Sequence, residues 1–384
     1  MLGFSARDSA MAGATTASAK DTSCLVKNPA GLIYAGNRID AEYLNIIFHD
    51  VKMDTEGQPA GHAFSLSEVG RRQKSTQNYL PGMDAGISYR VPGDSEHPIA
   101  VGLGIFTMAG MAVDFPASRA NEIVIPNSAY DRKVDLRSLR IAPGVATKLM
   151  DNLAFGATLN IAIQGLRTDL ARTDFKETNG SNKWDTGYGG GLSAGLLYKL
   201  NEKINLGASY ESQTWGLYHH KYKDVLYHMD QPSVANVGIS FKPTGKLELT
   251  YDTRYIRWTD VKTARLKPAE GGFGWRNQWV FALGSEYSCN KRLKLRLGYN
   301  YGRSPIPDDV IFANALFPVI VEHHATMGFS YMLKENLSLD FSWEHHFLGA
   351  SADNGKGDIY SQNGVGTKIT GAADIVGIGL GYTF

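Results

Sequence analysis

The residues with the most chemical reach in this 384-residue chain are its ten histidines and two cysteines. Three adjacent pairs stand out among the histidines: His219-His220, His323-His324 and His345-His346. Neighbouring imidazoles can hold a metal ion or pass a proton near neutral pH. The last two pairs flank a short turn at 334–336, which puts them at similar height on adjoining segments, with His324 and His346 sharing the inward side. Polar lining of a wet rim is the expected use of that couple, ahead of a metal site. Cys24 and Cys289 have no metal-binding spacing and cannot build a disulfide scaffold; they pair only if folding brings them together. Nucleophilic catalysis would need a serine and a histidine within hydrogen-bond reach, and no such couple can be singled out. Arg140, Glu248, Asp252, Arg254, Lys294, Arg296, Asp340 and Glu344 all fall on the inward parity of alternating segments. Both signs are present, which suits paired structural networks better than acid–base chemistry. No catalytic residue, metal site or cofactor is assigned. The formal net charge is +1, and no basic block or stripe marks a nucleic-acid surface.

The elements that must carry these residues are strands. In the final segment Val376, Ile378, Leu380, Tyr382 and Phe384 hold one parity, and Gly377, Gly379, Gly381 and Thr383 the other. A period of two gives a strand with one apolar face and one small or polar face. The split recurs where Leu337, Leu339, Phe341 and Trp343 alternate with Ser338, Asp340, Ser342 and Glu344. Six short turns lie near 92–97, 150–152, 201–203, 243–245, 289–292 and 334–336. Between them run seven long polar loops, at roughly 49–81, 113–133, 168–184, 217–230, 259–274, 304–320 and 349–369. Tyr89, Tyr198, Phe241, Tyr287 and Tyr331 precede five of the turns, as an interfacial aromatic girdle requires. Short turns at one end and long loops at the other are the layout of an outer-membrane barrel. Thirteen connections make fourteen strands, and an even count leaves both termini on the short-turn, periplasmic side. No run of about 18 apolar residues offers a transmembrane helix. The expected fold is an all-β membrane protein, a 14-stranded antiparallel transmembrane β-barrel of the bacterial outer membrane.

Residues 1–37 break the pattern. They show no period of two, and Ser5, Ala6, Ser9, Ala10, Ala12, Gly13 and Ala14 suit short helices and tight packing. A fourteen-stranded barrel has a lumen wide enough to need filling or to conduct water. Asn28-Pro29-Ala30-Gly31-Leu32 reads as a defined turn rather than a flexible tail. The expected division is a small N-terminal plug, or hatch, over 1–37 inside the lumen, and the barrel over 38–384. Gly377, Gly379 and Gly381 would leave room for that plug. Met1-Leu2-Gly3-Phe4 opens no apolar leader, so the sequence reads as a mature chain with a start methionine.

Two further places bear on function. In the third strand Val101, Leu103 and Ile105 face outward, while Gly102, Gly104, Phe106 and Met108 face inward. Large apolar side chains are out of place in a lumen that holds only water. They either pack on the plug or mark a kink, which Gly110 can bend or bulge. In the loops Trp215, Leu217, Tyr218, Leu226 and Tyr227 form one apolar group, and Ile311, Phe312, Leu316 and Phe317 another. Such groups bind a ligand or pack on one another as a lid.

Gly3-Phe4, the small-residue stretch with Gly13, Asp21 and Asn28-Pro29-Ala30-Gly31-Leu32 resemble the N-terminal region of the FadL/TodX family. Val101-Gly102-Leu103-Gly104-Ile105-Phe106 is similar to that family's third strand, and Tyr301-Gly302-Arg303-Ser304-Pro305-Ile306-Pro307 to its eleventh strand and following loop. Gln231-Pro232-Ser233 through Trp258 is similar to its eighth and ninth strands. The resemblance covers most of the chain and is strongest in these blocks. It implies a passive outer-membrane channel for long-chain fatty acids or hydrocarbons, with no cofactor. It implies capture between extracellular loops, where Trp215, Leu226, Phe312 and Phe317 are the candidates. It also implies a deep pocket beside the N-terminus, with Phe4, Met11, Phe106 and Met108 as candidates. Exit would be sideways through a kinked third strand, with Asn28, Pro29, Ala30 and Gly110 as hatch and gate residues and Asn28 bonded to the kink. Arg137, Arg140 and Arg303 are the candidates for meeting a carboxylate. The implied partners are the hydrophobic substrates, outer-membrane lipid and lipopolysaccharide, around a monomer that is not an enzyme. The terminal Phe384 resembles the signal that outer-membrane assembly machinery reads. A lipid-modifying enzyme and a structural or adhesive barrel are the alternatives.

Overall fold

The computed structural model describes residues 3–55, 57, 72–93, 97–115, 132–168, 183–223, 226 and 228–384. Much of the expected loops at 49–81, 113–133 and 168–184, and Tyr227, lie outside the described residues. Fourteen long strands form one antiparallel sheet that closes on itself. They are β1 (Arg38–Asp54), β2 (Tyr79–Arg90), β3 (Ile99–Phe115), β4 (Arg132–Met150), β5 (Leu153–Thr168), β6 (Asp185–Lys199) and β7 (Ile204–Glu211). The circle continues through β8 (Ser233–Phe241), β9 (Leu247–Arg257), β10 (Gln278–Ser288), β11 (Leu293–Gly302), β12 (His323–Lys334), β13 (Leu337–Ala352) and β14 (Lys368–Thr383). A three-residue piece, Arg72–Lys74, pairs with the end of β1. Each strand pairs with the next, and β14 closes on β1 from Arg38↔Thr383 to Asp54↔Lys368.

The period-two pattern explains the closure. Leu103, Leu159, Leu192, Val237, Leu283, Leu297, Ile378 and Leu380 project from the outer face and are exposed in the isolated chain. Such a surface around a whole sheet is stable only against lipid. A closed barrel also leaves no unpaired edge in that medium. Connections are short between β2 and β3, β4 and β5, β6 and β7, β8 and β9, β10 and β11, and β12 and β13, and long elsewhere, as expected. Tyr89, Phe241, Tyr287 and Tyr331 are exposed on the outer face beside the short turns.

Inside, the N-terminal residues form three short helices: α1 (Ala6–Ala10), α2 (Cys24–Lys27) and α3 (Leu32–Ala35). Ser5 caps α1 by accepting the Asp8 backbone N–H at 3.1 Å, and a single 3₁₀ turn, Pro29–Gly31, joins α2 to α3. Two large apolar bodies lie in the interior, beside a smaller cluster of Leu44, Ile46, Leu80, Ala373 and Ile375. At the long-loop end, Val113, Phe115, Leu166, Leu226, Trp275, Ile306, Ile311 and Phe317 belong to one. The second lies between the N-terminal segment and the wall and includes Phe4, Leu25, Leu32, Ile33, Phe106 and Leu197. At Gly377, Gly379 and Gly381 the atoms nearest an added Cβ include those of Glu42, Ser342, Ser338 and Arg38, so the room these glycines leave is taken first by wall side chains, of which Glu42 accepts the Ala6 N–H.

Candidate functional site

The wall is interrupted beside β3. The β2–β3 ladder runs from Arg90↔Ala100 only as far as Ala85↔Ile105. Beyond it, Tyr79 to Asp84 pair with β1 alone, and Phe106 to Phe115 with β4 alone. The cause lies in β3. Its register on β4 slips between Thr107 and Ala109, so Met108 is an extra residue and every later side chain changes face. Val101, Leu103 and Ile105 point out to lipid, whereas Val113 and Phe115, on the same parity, are buried in the loop-end cluster.

Side chains span the break where the ladder does not. The Asp84 carboxylate accepts the Thr107 N–H at 2.6 Å, and Thr107 Oγ1 donates to the Met83 carbonyl at 3.2 Å. Farther along, the Thr76 N–H donates to the Asp114 carbonyl at 2.8 Å, and the Asp114 N–H to Ser75 Oγ at 2.9 Å. Between these ties the opening is stoppered by buried Leu80, with Leu44 and Ile46 beside it. Two glycines make that packing possible. A Cβ on Gly110 would stand 2.5 Å from Leu80 Cδ2, and one on Gly82 would stand 2.8 Å from Leu44 Cδ1. Gly110 was expected to bend the strand; the bulge is at Met108, and Gly110 instead leaves space for Leu80.

Wall carboxylates hold the N-terminal segment by its backbone. Glu42 accepts the Ala6 N–H, Asp40 the Thr22 N–H at 3.0 Å, and Asp252 the Thr16 N–H at 2.9 Å. Arg7 and Lys20 pair with Glu286, which also takes Arg296 Nε at 2.8 Å, and Lys20 reaches Glu248 as well. These are the mixed-sign networks read from the parity of the strands. Among the described residues Lys27 has no such partner, and burial pushes its amine down to about 8. On the expected gate motif, Asn28 does not bond to the third strand. Its Nδ2 donates to Thr16 O at 2.7 Å and to Leu196 O of β6 at 3.0 Å, and its Oδ1 accepts the Ala30 N–H at 3.2 Å. Asn28→Ala strips three backbone groups of their partner, and the two buried ones, Thr16 O and Ala30 N–H, each cost roughly 1–3 kcal/mol. Amide exchange across residues 14–32 should therefore quicken by an order of magnitude or more while the barrel stays closed; unchanged exchange there would contradict the anchoring role.

The candidate pocket residues separate into those that meet and those that do not. Phe4 and Phe106 line one cavity of about 150 Å³, which extends to Lys291 and Arg292 at the short turn between β10 and β11. Phe106 lies back over Gly104, where a Cβ would be 2.3 Å from its ring, and half-buried Met108 packs on the same cluster. Met11 is elsewhere, wedged against Gly284 and Gly298. At the loops, Leu226 and Phe317 join the apolar body, but Phe312 packs against Gly364, and Trp215 stands 54% exposed outside the cluster. Loop segments carry no periodicity from which their packing could be read. Of the arginines, Arg137 and Arg303 are exposed, while Arg140 is fully buried opposite Phe106 in the β3–β4 ladder. Its Nη2 donates to Glu211 and, at 3.0 Å, to Gln231 Oε1, and its Nε and Nη1 are buried without a hydrogen-bond partner among the described residues. His324 and His346 face each other as expected, ring centroids 4.4 Å apart, and among the described residues no three ligand side chains are arranged for a metal.

A family model described as outer membrane protein transport protein (OMPP1/FadL/TodX) matches residues 3–384. The chain is 24% identical over 274 residues to a protein of Pasteurella multocida named 47 kDa outer membrane protein, an alignment covering 63% of this chain and 58% of that one. It is 21% identical over 300 residues to the long-chain fatty acid transport protein of Escherichia coli, covering 62% and 64%. The chain thus spans less than two thirds of the length of either curated relative. Among solved structures, the toluene transporter TodX of P. putida superposes with a TM-score of 0.74 at 17% identity, covering 100% of this chain and 99% of that one. At that identity the likeness is one of fold.

Proposed function

The chain belongs to the outer membrane protein transport protein family, OMPP1/FadL/TodX, and from that premise we propose that it is a passive outer-membrane channel that takes up hydrophobic small molecules and releases them sideways into the bilayer. The family match assigns the chain to transport rather than catalysis. The names of its relatives bracket the substrate range between long-chain fatty acids and toluene. Residues 1–37 act as a hatch within the barrel of 38–384, both termini face the periplasm, and the working unit is a monomer.

The observation that carries this reading is the break between β2 and β3. A wall built to be sealed would continue the ladder; this one ends at Ala85↔Ile105 and is stoppered by apolar side chains. Leu80, Leu44 and Ile46 can turn aside without breaking a strand, because no backbone bond crosses there. The route has a physical motive. Sending an alkyl chain into periplasmic water costs about 0.8 kcal/mol per methylene, and passage through the wall into lipid avoids that cost. A ligand gathered by the loop-end cluster around Leu226 and Phe317 would pass down to Phe106, Met108 and Phe4, then out past Leu80. The test is uptake of labelled toluene and labelled palmitate into proteoliposomes. Gly110→Val forces Leu80 into the opening and should cut the rate of both about fivefold or more, as overpacking a tight site does. Normal uptake of both by a closed variant barrel would sink lateral release.

Arg140 gives the fatty-acid branch its cation. Its two unpartnered nitrogens can receive a carboxylate at the level of Phe106, and charge-assisted bonds of this kind contribute about 1.5–3 kcal/mol. Arg140→Met should therefore reduce palmitate uptake about tenfold or more while toluene uptake stays within about twofold. Equal loss of both substrates would mean that Arg140 only holds the wall together.

A further inference from the structure

On the outer face at the long-loop end, three adjacent strands bring two guanidinium groups around one indole. Arg137 of β4 and Arg167 of β5 lie on the outward parity that carries Leu139, Leu159 and Ile161. In the β4–β5 ladder Arg137 stands opposite Gly165, and Asp135 opposite Arg167. Trp184, immediately before β6, lies on Gly165, where a Cβ would be 3.2 Å from the ring. The guanidinium carbons of Arg137 and Arg167 stand 5.4 and 5.0 Å from the centre of the indole. Asp135 accepts Arg137 Nε at 2.9 Å and Nη2 at 3.0 Å, and Arg167 Nη2 at 3.3 Å. Among the described residues no other carboxylate pairs with either arginine. Among the described residues one negative charge stands against two positive ones, a cationic balance. Ring and carboxylate together fix both guanidiniums before any ligand arrives, so little side-chain freedom remains to be lost on binding.

The height of the group says what it meets. Outward apolar residues of β4 run from Leu149 through Val145 and Ile141 to Leu139. Ten residues of a strand tilted about 40° rise about 25 Å, the full height of the apolar band of an outer-membrane barrel. Arg137 is the next outward residue. Tyr188, 67% exposed on the outer face of β6, lies just below Trp184, where a girdle ring belongs. Arg137 and Arg167 therefore stand on the outer face at the level of the lipid headgroups.

We propose that Arg137, Arg167 and Trp184 form a binding site on the outer wall for the phosphate of a phosphorylated outer-leaflet lipid. Guanidinium is the side chain whose planar fork suits phosphate oxygens, and two held side by side can share one phosphate. The experiment is native mass spectrometry of the full chain in detergent, titrated with lipid A and with dephosphorylated lipid A. The wild type should bind the phosphorylated lipid about tenfold more tightly, and Arg137→Gln/Arg167→Gln should remove that preference. Heat-modifiable migration on a gel reports whether the barrel is closed. If the double variant does not close, Trp184→Leu is read instead and should weaken phosphorylated lipid about threefold by freeing the arginines. Equal affinity of the wild type for the two lipids would overturn the proposal. So would unchanged binding in a closed variant, or displacement of lipid A by an equimolar amount of inorganic phosphate, which would make the free anion the ligand.

Discussion

Gly156→Val should unseat the hatch without opening the barrel. Gly156 faces inward on β5, and a Cβ there would stand 2.3 Å from the Pro29 carbonyl carbon, 2.4 Å from its oxygen and 2.5 Å from the Ala30 nitrogen. All three are backbone atoms of the turn that Asn28 caps, so no side-chain rotation relieves the clash. The turn must move, and with it go the Asn28 bonds to Leu196 and Thr16. The ladders of β5 to β4 and β6 are untouched, so the barrel still closes. An emptied fourteen-stranded lumen passes small solutes, and leakage of a hydrophilic dye from proteoliposomes should rise about tenfold or more. Gly371→Ala is the control, since a Cβ there meets only Val51 at 3.8 Å. No increase in leakage from a closed Gly156→Val barrel would mean that residues 3–37 do not occlude the lumen.

The barrel was legible because lipid and lumen demand opposite chemistry on alternate residues, and β14 obeys this from Val376 to Phe384. Turn lengths then supplied the strand number. Inward Phe106 and Met108 suggest a kink in this strand, placed at Gly110, but the bulge at Met108 itself was not legible, for a specific reason. Val101, Leu103 and Ile105 are apolar because they meet lipid, and Met111, Val113 and Phe115 because they meet the loop-end cluster. Both environments call for apolar residues on odd positions, so the change of face leaves no mark in the pattern. The Asn-Pro-Ala turn could be found as a turn but not assigned its partner. That Asn28 reaches Leu196 rather than β3 depends on the stagger of strands around the barrel, which no local spacing encodes. The same holds for Arg137. Its residue type suggested a carboxylate partner, but the register of β4 puts it outside and leaves Arg140 within.

Lateral release is tested most directly by locking the break and then unlocking it. A Cβ on Gly82 would be 3.0 Å from Thr107 Oγ1, which puts the β-carbons of residues 82 and 107 within about 4.5 Å, inside the range a disulfide spans. The variant is Gly82→Cys/Thr107→Cys, with Cys24→Ala and Cys289→Ser to remove the native thiols. The loop-end cluster is left alone, and Cys24→Ala is the one change within the hatch, common to the oxidised and reduced channel, so it cannot account for a difference between them. Uptake of labelled toluene into proteoliposomes is measured after oxidation and again after reduction in the same preparation. If hydrophobic ligands leave between β2 and β3, the oxidised channel should fall about tenfold or more below the reduced one, and reductant should restore the rate, because the crosslink joins the two strands across their only unpaired stretch. Equal uptake by a fully crosslinked and a reduced channel would contradict lateral release and direct the ligand through the hatch instead.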